Sequence, residues 1–356
     1  MANQRVNRLR ELMKRHDAEA FFVTNDVSRR YLSGFTGTSG YLVITMEEAI
    51  LFTDFRYREQ APRQAAGFRV IEHGPDAAET IAATLKELGV TRLAFEQHDV
   101  SYADYTAYKD KFKIPLVPAD KFVEQLRMVK DDEEIEQIRK ACELVDRTFE
   151  HMLEVIRPGM TEKQVAIELE IFMRSQGADA PSFTTIVASG WRSSLPHGTA
   201  SDKVLEKGDF VTLDFGAYMN GYCSDITRTI VLGEATDRHR EIYQIVLEAQ
   251  MLALERIKPG MTGKEADAIA RDFIAKAGYG DCFGHGLGHG LGMEIHEEPR
   301  LSRTGSVVLV PGMVVTVEPG IYIPGFGGVR IEDDAVVTEN GLSRLTRSDK
   351  QLLVLR

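Results

Sequence analysis

Apolar positions recur along this chain at two different spacings, and each change of spacing marks an element. Val6, Leu9, Leu12 and Met13 fall at helical spacing among charged residues, and the short apolar run that begins at Ala20 and ends at Val23 reads as a strand. Strand-like runs at Tyr41–Thr45 and Ile50–Thr53, with helical patterns over Ala77–Leu88 and Tyr102–Phe112, predict an α/β unit for the first third. Pro115 and Pro118 then punctuate the chain before a long charged helical pattern, Asp131 to Ile156, which Arg157-Pro158-Gly159 stops. A domain boundary is expected between Asp120 and Asp131, giving units of 1–125 and 126–356.

Past that boundary the pattern repeats. Ile156-Arg157-Pro158-Gly159-Met160-Thr161 recurs as Ile257-Lys258-Pro259-Gly260-Met261-Thr262, and an amphipathic helical pattern follows each copy. The strand-like GDFVTLDFGAY from Gly208 ends in Asp214-Phe215-Gly216-Ala217-Tyr218, and GMVVTVEPGIY from Gly312 ends in Glu318-Pro319-Gly320-Ile321-Tyr322. Proline-glycine after a helix is by itself a common stop signal. The second aligned segment, acid-x-Gly-x-Tyr, makes a duplicated helix-plus-sheet unit the better account. A pseudo-twofold between the copies would bring Asp214 and Glu318 together at a shared centre.

Asp214 and Asp225 flank Asn220-Gly221, the strongest short signal for a two-residue hairpin. With those two residues as the loop, Met219 faces Tyr222, partner numbers sum to 441, and Asp225 sits opposite Gly216. Asp214 and Asp225 then share a face as diagonal neighbours, about 7–8 Å apart between backbones. Two carboxylates so placed can hold cations. They can equally decorate the polar outer face of an ordinary hairpin, with Val211, Leu213 and Phe215 packed on the other side, and alternation alone does not decide.

The run from Gly284 to Gly292, GHGLGHGLG, is too glycine-rich for a helix, so His285 and His289 are not a helical metal pair. In an extended chain their spacing of four puts both imidazoles on one face. The intervening glycines let backbone approach a neighbouring strand or ligand. No G-x-G in the run has a glycine three places on, which excludes a dinucleotide fingerprint. Histidines flanked by glycine have little packing value, so metal or catalytic use is favoured over a structural role. His296-Glu297-Glu298-Pro299, Glu318 and Arg330-Ile331-Glu332-Asp333 extend the set, and a carboxylate-rich site with imidazole suits Mn²⁺, Co²⁺ or Zn²⁺.

Composition narrows the partners. A net charge of -11, from 43 Lys and Arg against 54 Asp and Glu without a basic cluster, argues against nucleic acid and anionic membrane surfaces. Cys142, Cys223 and Cys282 lie far apart with no C-x-x-C pair, which argues against a disulfide framework or thiolate zinc site. The N-terminal stretch lacks the apolar core of a signal peptide, and nowhere does the chain approach about 18 consecutive apolar residues. A cytoplasmic protein is expected.

With these residues in view the sequence resembles the Xaa-Pro peptidases, prolidase and aminopeptidase P, of the pita-bread metallopeptidases. The resemblance spans nearly the whole chain. It is carried by Tyr31-Leu32-Ser33-Gly34-Phe35-Thr36-Gly37 and Thr53-Asp54-Phe55-Arg56-Tyr57 in the first third, and by Leu195-Pro196-His197-Gly198, Asp214, Asp225, the histidine-glycine run, His296-Glu297, Glu318-Pro319-Gly320 and Arg330-Ile331-Glu332 beyond it. It implies an α+β class: a pita-bread (creatinase/aminopeptidase) catalytic domain preceded by a smaller creatinase-like α/β domain.

Carried over residue by residue, the resemblance implies two divalent ions per subunit, manganese first with cobalt or zinc as alternatives, held by Asp214, Asp225, His289, Glu318 and Glu332. Asp225 and Glu332 would bridge the ions. It also implies Glu318 as proton acceptor, His197, His285 and His296 as donors to substrate, and a homodimer. Arg330, two residues before Glu332, is expected on the same strand face, where it orients the bridging carboxylates. In some prolidases an arginine at the position of Arg300 resembles a clamp for the carboxylate of a dipeptide, which tips the expectation to an Xaa-Pro dipeptidase acting on small proline peptides. The alternative is an aminopeptidase P that takes longer peptides. Methionine aminopeptidase shares the ligand set but usually lacks a large N-terminal domain, and the filled ligand positions argue against a metal-free amidinohydrolase or binding protein.

Overall fold

The chain falls into two units, Met1–Arg127 and Met128–Arg356, in a computed structural model that describes residues 2–356. The N-terminal unit is built on a six-stranded sheet whose order is Arg69–Glu72, Ala49–Thr53, Tyr41–Thr45, Ala20–Val23, Leu93–Glu96, Leu116–Ala119. Its helix Ala2–Arg15 buries Val6, Leu9 and Met13, the apolar positions of the helical pattern. Helices Ala77–Glu87 and Tyr102–Phe112 bury Ile81, Leu85 and Phe112 against Phe22, Phe52 and Phe95. Asp76 and Ser101 cap them by accepting from the amides of Glu79 and Asp104.

In the second unit the long helix is Asp132–Val155, opened by a capping box between Asp131 and Glu134. The repeated motif does the same work twice. Ile156 and Ile257 close helices Asp132–Val155 and Asp237–Arg256 in extended conformation, and Thr161 and Thr262 open helices Glu162–Ser175 and Gly263–Lys276 with capping boxes. Each turn is pinned to a loop of its own half, Gly159 N–H donating to Leu205 O at 2.9 Å and Gly260 N–H to Leu309 O at 2.8 Å.

Each helix pair covers a sheet. The first sheet runs in the order Val354–Leu355, Ile226–Leu232, Phe210–Phe215, Ile186–Ser189, and the second in the order Glu297–Leu301, Gly288–Gly290, Val314–Val317, Asp333–Thr338, Gly341–Arg344. Val211, Leu213 and Phe215 do form the packed side, against Val145, Phe149 and Leu169. Val315 and Val317 take that place in the second half, against Val246 and Ala270. The opposite faces of both sheets carry the acids.

Asn220 at φ 54° and Gly221 at φ 91° make the turn between Met219 and Tyr222. The partner sum of 441 persists from that pair to Phe210 and Val231 without a bulge, so Asp214 faces Thr227. Two glycines of the histidine run are required by close approach. A Cβ on Gly288 would lie 2.1 Å from Thr316 O, and one on Gly290 would lie 2.2 Å from Glu298 O. Strand Gly288–Gly290 is held between two others because its side chains there are hydrogen. Among the described residues no helix is long and apolar enough to cross a membrane.

Gly288→Ala is therefore expected to destabilise the protein by about 1–3 kcal/mol through overpacking. Gly284→Ala serves as the control, because nothing lies within 4 Å of its Cβ. Equal denaturant midpoints for the two variants would contradict the close-approach argument.

Candidate metal centre

Acidic residues stand at the ends of the central strands of both sheets. Asp214 lies one residue from the end of Phe210–Phe215, and Asp225 immediately precedes Ile226–Leu232. In the second half Glu318 follows Val314–Val317, and Glu332 precedes Asp333–Thr338. Backbone bonds fix both turns, Glu318 N–H donating to Leu287 O at 2.8 Å and Glu332 N–H to Thr227 O at 3.1 Å. These four acids and His289 line one cleft of about 510 Å³ with His197, His285, His296, Arg300 and Arg330. The ligand and catalytic residues implied by the resemblance thus line the same cavity, whereas Glu297 pairs with Lys130 and Asp333 with Arg228 away from it.

Three observations show that this donor set fits cations. Asp225, His289 and Glu332 each offer a ligand atom within 4.8 Å of the others. His289 Nδ1 lies 3.0 Å from Gly290 O. A carbonyl only accepts, so Nδ1 carries the proton and the Nε2 lone pair faces Asp225 Oδ2 at 3.7 Å and Glu318 Oε1 at 3.4 Å. Burial pushes the His289 pKa down to about 3, leaving the ring neutral, with its lone pair facing carboxylate oxygens. Asp225 Oδ1 is buried and has no hydrogen-bond partner.

The electrostatics agree. Burial pushes the carboxyls of Asp225 and Glu332 well above the usual range, and neighbouring carboxylates push them further. Glu318 is raised to about 7 by burial. Such a cluster is relieved by bound divalent ions, which replace protons on the same oxygens.

Arg330 supplies the fixed positive charge. It pairs with Asp214 Oδ2 and donates to Tyr322 Oη at 2.7 Å and Thr227 Oγ1 at 3.0 Å. Thr227 Oγ1 in turn donates to Glu332 Oε2 at 2.5 Å. The sequence reading had Arg330 orienting the bridging acids, whereas its direct carboxylate contact is with Asp214 and it reaches Glu332 through Thr227.

His285 also differs from expectation. Its Nδ1 donates to Gly286 O at 2.8 Å, and its Nε2 lies 2.8 Å from Tyr322 Oη. Burial lowers its pKa to about 4, so the ring is neutral and its one N–H is already engaged. In this arrangement it accepts from Tyr322 and has no proton left for a substrate carbonyl. His296 packs edge-on against His289, ring centroids 4.4 Å apart, and like His197 it is exposed in the cleft.

Residues 136–339 match Metallopeptidase family M24, and residues 5–129 match the Creatinase/Prolidase N-terminal domain. The chain belongs to metallopeptidase family M24. It is 44% identical to the Xaa-Pro dipeptidase of Pyrococcus furiosus over 352 residues, 98% of this chain and 99% of that one. The solved structure of an Xaa-Pro dipeptidase from Bacillus anthracis superposes with a TM-score of 0.98 at 52% identity, covering 100% of both chains. That of an X-Pro aminopeptidase from Thermotoga maritima gives 0.92 at 43% identity, covering 96% of this chain and 99% of that one.

M24 membership accounts for the pita-bread architecture and for dependence on two metal ions, and the group of Asp225, His289 and Glu332 is a candidate place for a metal. The sequence reading of this M24 chain left out Thr227, Tyr322 and Asp334. Asp334 Oδ2 accepts from the Asp225 amide at 2.8 Å and from Cys142 Sγ at 3.3 Å. Thr227 and Asp334 each follow a proposed bridging acid by two residues, a spacing that would have flagged both.

A raised carboxyl pKa in the fold favours the protonated form, so the stability these acids contribute to the metal-free protein is fully present below the ordinary carboxyl value of about 4. That stability is lost as pH rises through about 7, where Glu318 ionises in the fold. Divalent ions at neutral pH should therefore raise the unfolding temperature and release protons, and their affinity should fall on acidification. Calorimetry in buffers of different ionisation enthalpy measures the release, and binding heats independent of buffer would contradict it.

Proposed function

We propose that this cleft hydrolyses the bond between an N-terminal residue and proline, as an Xaa-Pro dipeptidase. The observation that carries the chemistry is the buried acid set around Asp225 Oδ1 and the His289 lone pair. The choice of substrate is supported by the dipeptidase names of relatives aligned over the full chain. Asp214, Asp225, His289, Glu318 and Glu332 would hold two ions, manganese first. When bound, the ions supply hydroxide at neutral pH and stabilise developing negative charge.

The chain's own side chains do the rest. Glu318 takes the proton of the attacking water and returns it to the leaving proline nitrogen. His197 and His296, exposed in the cleft, donate to the scissile carbonyl. His285 orients Tyr322, and Arg330 holds Asp214 in place. Arg300, exposed at the cleft, receives the substrate's C-terminal carboxylate. Residues 126–356 form the catalytic domain in this reading. A cytoplasmic homodimer completes it, a reducing compartment suiting the three free cysteines.

Aminopeptidase P action on longer peptides is the second reading, supported by similarity to the Thermotoga X-Pro aminopeptidase. Hydrolysis of Ala-Pro, Met-Ala and Ala-Pro-Ala with added Mn²⁺ separates the readings. Arg300→Ala is expected to raise KM for Ala-Pro far more than for Ala-Pro-Ala. Equal effects on both, or none, would leave aminopeptidase P as the better assignment.

Asp225→Asn should abolish turnover while leaving far-ultraviolet circular dichroism unchanged, since it removes one of the carboxylate charges that would hold the ions. His296→Ala should lower kcat by the order of 10²–10³ expected for a lost oxyanion donor, with metal stoichiometry intact. Wild-type turnover in either variant would remove that residue from the chemistry.

A further inference from the structure

Outside the acid cluster, a buried carboxylate in the first half of the repeat has a placement that bears on the cleft. Glu162 opens helix Glu162–Ser175, directly after the first copy of the repeated motif, and its side chain is 0% exposed. Its carboxylate grips both ends of one loop. At the near end it accepts from Ser189 N–H at 2.7 Å, Ser189 Oγ at 3.0 Å and Arg192 Nε at 3.0 Å. At the far end it accepts from Ser201 N–H at 2.9 Å and Ser201 Oγ at 2.6 Å. Arg192 also donates to Thr199 O at 2.7 Å, which ties the middle of the loop to the same grip.

The loop so closed carries Pro196 and His197 into the cleft. Trp191, Leu195 and His197 are exposed, while Ser193 is buried and accepts from Gly328 N–H at 2.8 Å, and Arg330 donates to Pro196 O at 3.3 Å, so the grip of Glu162 acts on a loop also anchored at its middle. The second half of the repeat offers an internal comparison. Its backbone bonds are equivalent: Glu162 N–H to Lys203 O and Lys163 N–H to Ser201 O in the first half, Gly263 N–H to Val307 O and Lys264 N–H to Gly305 O in the second. The side chain differs. Gly263 stands where Glu162 stands, and a Cβ there would meet Arg300 O at 2.0 Å. The second half thus closes its loop by direct backbone approach. The first half inserts a buried carboxylate, which costs desolvation that the fold alone does not require.

We propose that Glu162 is a positioning residue that sets the loop so that His197 meets the substrate carbonyl. This rests on the reading of His197 as a substrate donor given above. A displacement of about 1 Å at such a donor is enough to cost the order of 10²-fold in rate.

The test is a double-mutant cycle on the full-length metal-loaded enzyme, with whichever peptide the wild type hydrolyses fastest. Glu162→Gln keeps the shape but turns an N–H₂ group toward donors. It should lower kcat/KM by about 10²-fold, through kcat more than KM, with metal content and circular dichroism unchanged. In a His197→Ala background the same substitution should cost almost nothing further, because the group it positions is gone. Losses that multiply independently, or no loss from Glu162→Gln alone, would overturn the proposal.

Should Glu162→Gln not fold, Ser201→Ala removes one donor from the same carboxylate, and its cycle with His197→Ala should show the same coupling at smaller scale. Independence there overturns the proposal equally. A failure of the Xaa-Pro reading appears as a different preferred peptide, and a failure of His197 as a donor appears in its single variant. Neither resembles independent losses in the cycle.

Discussion

Four carboxylates buried around one small volume repel one another, and the second unit is organised by what that repulsion demands. Each charge would cost several kcal/mol to desolvate if left alone. Asp214, Asp225, Glu318 and Glu332 nonetheless converge on one cleft, together with the unprotonated nitrogen of His289. Flexible loops would let such groups swing apart toward water. Strand ends do not, because Asp214 lies within a ladder to Thr227 and Glu332 is held by its amide to Thr227 O. One guanidinium, Arg330, offsets part of the charge at Asp214, and the remainder is left for cations.

The repeat is the economical way to build such a centre. A helix pair over a sheet buries its own apolar face, Val211 and Leu213 in one copy, Val315 and Val317 in the other. Two copies meeting about a pseudo-twofold then set their polar strand ends against each other. The copies also brace one another crosswise. Thr227 donates to the Glu332 carboxylate from the first half, and Asp334 accepts the Asp225 amide from the second. Symmetry thus persists in geometry while the chemistry of the paired positions diverges, a hydroxyl donor in one half and a carboxylate acceptor in the other.

What could be read from the sequence is what periodicity and close approach control. The Asn220-Gly221 turn fixed a register that then ran unbroken through the strands carrying Asp214 and Asp225. Gly288 and Gly290 had no other physical reason to alternate with histidine and leucine than the carbonyl oxygens now found against them. Alternation failed where the ladder ended. Strand Gly327–Arg330 pairs with Gly320–Ile323, and the chain leaves that ribbon through Ile331 before entering another sheet at Asp333. Counting by two from Arg330 to Glu332 therefore linked side chains with different carboxylate neighbourhoods. His285 eluded sequence reading for another reason, because its free valence is set by Tyr322, thirty-seven residues away along the chain.

The four acids differ in how firmly the protein itself holds them. Asp214 is committed to Arg330, and Glu332 accepts a short bond from Thr227. Asp225 lies deepest in the field of the others, with its carboxyl raised by each of its acidic neighbours. Glu318 stands just past its strand and is held by a single threonine, Thr316 Oγ1, at 3.1 Å. The repeat places Asp214 and Glu318 at corresponding positions, yet Arg330 pairs with Asp214 alone, so the same place in the two halves carries one carboxylate fixed by a guanidinium and one fixed by a hydroxyl.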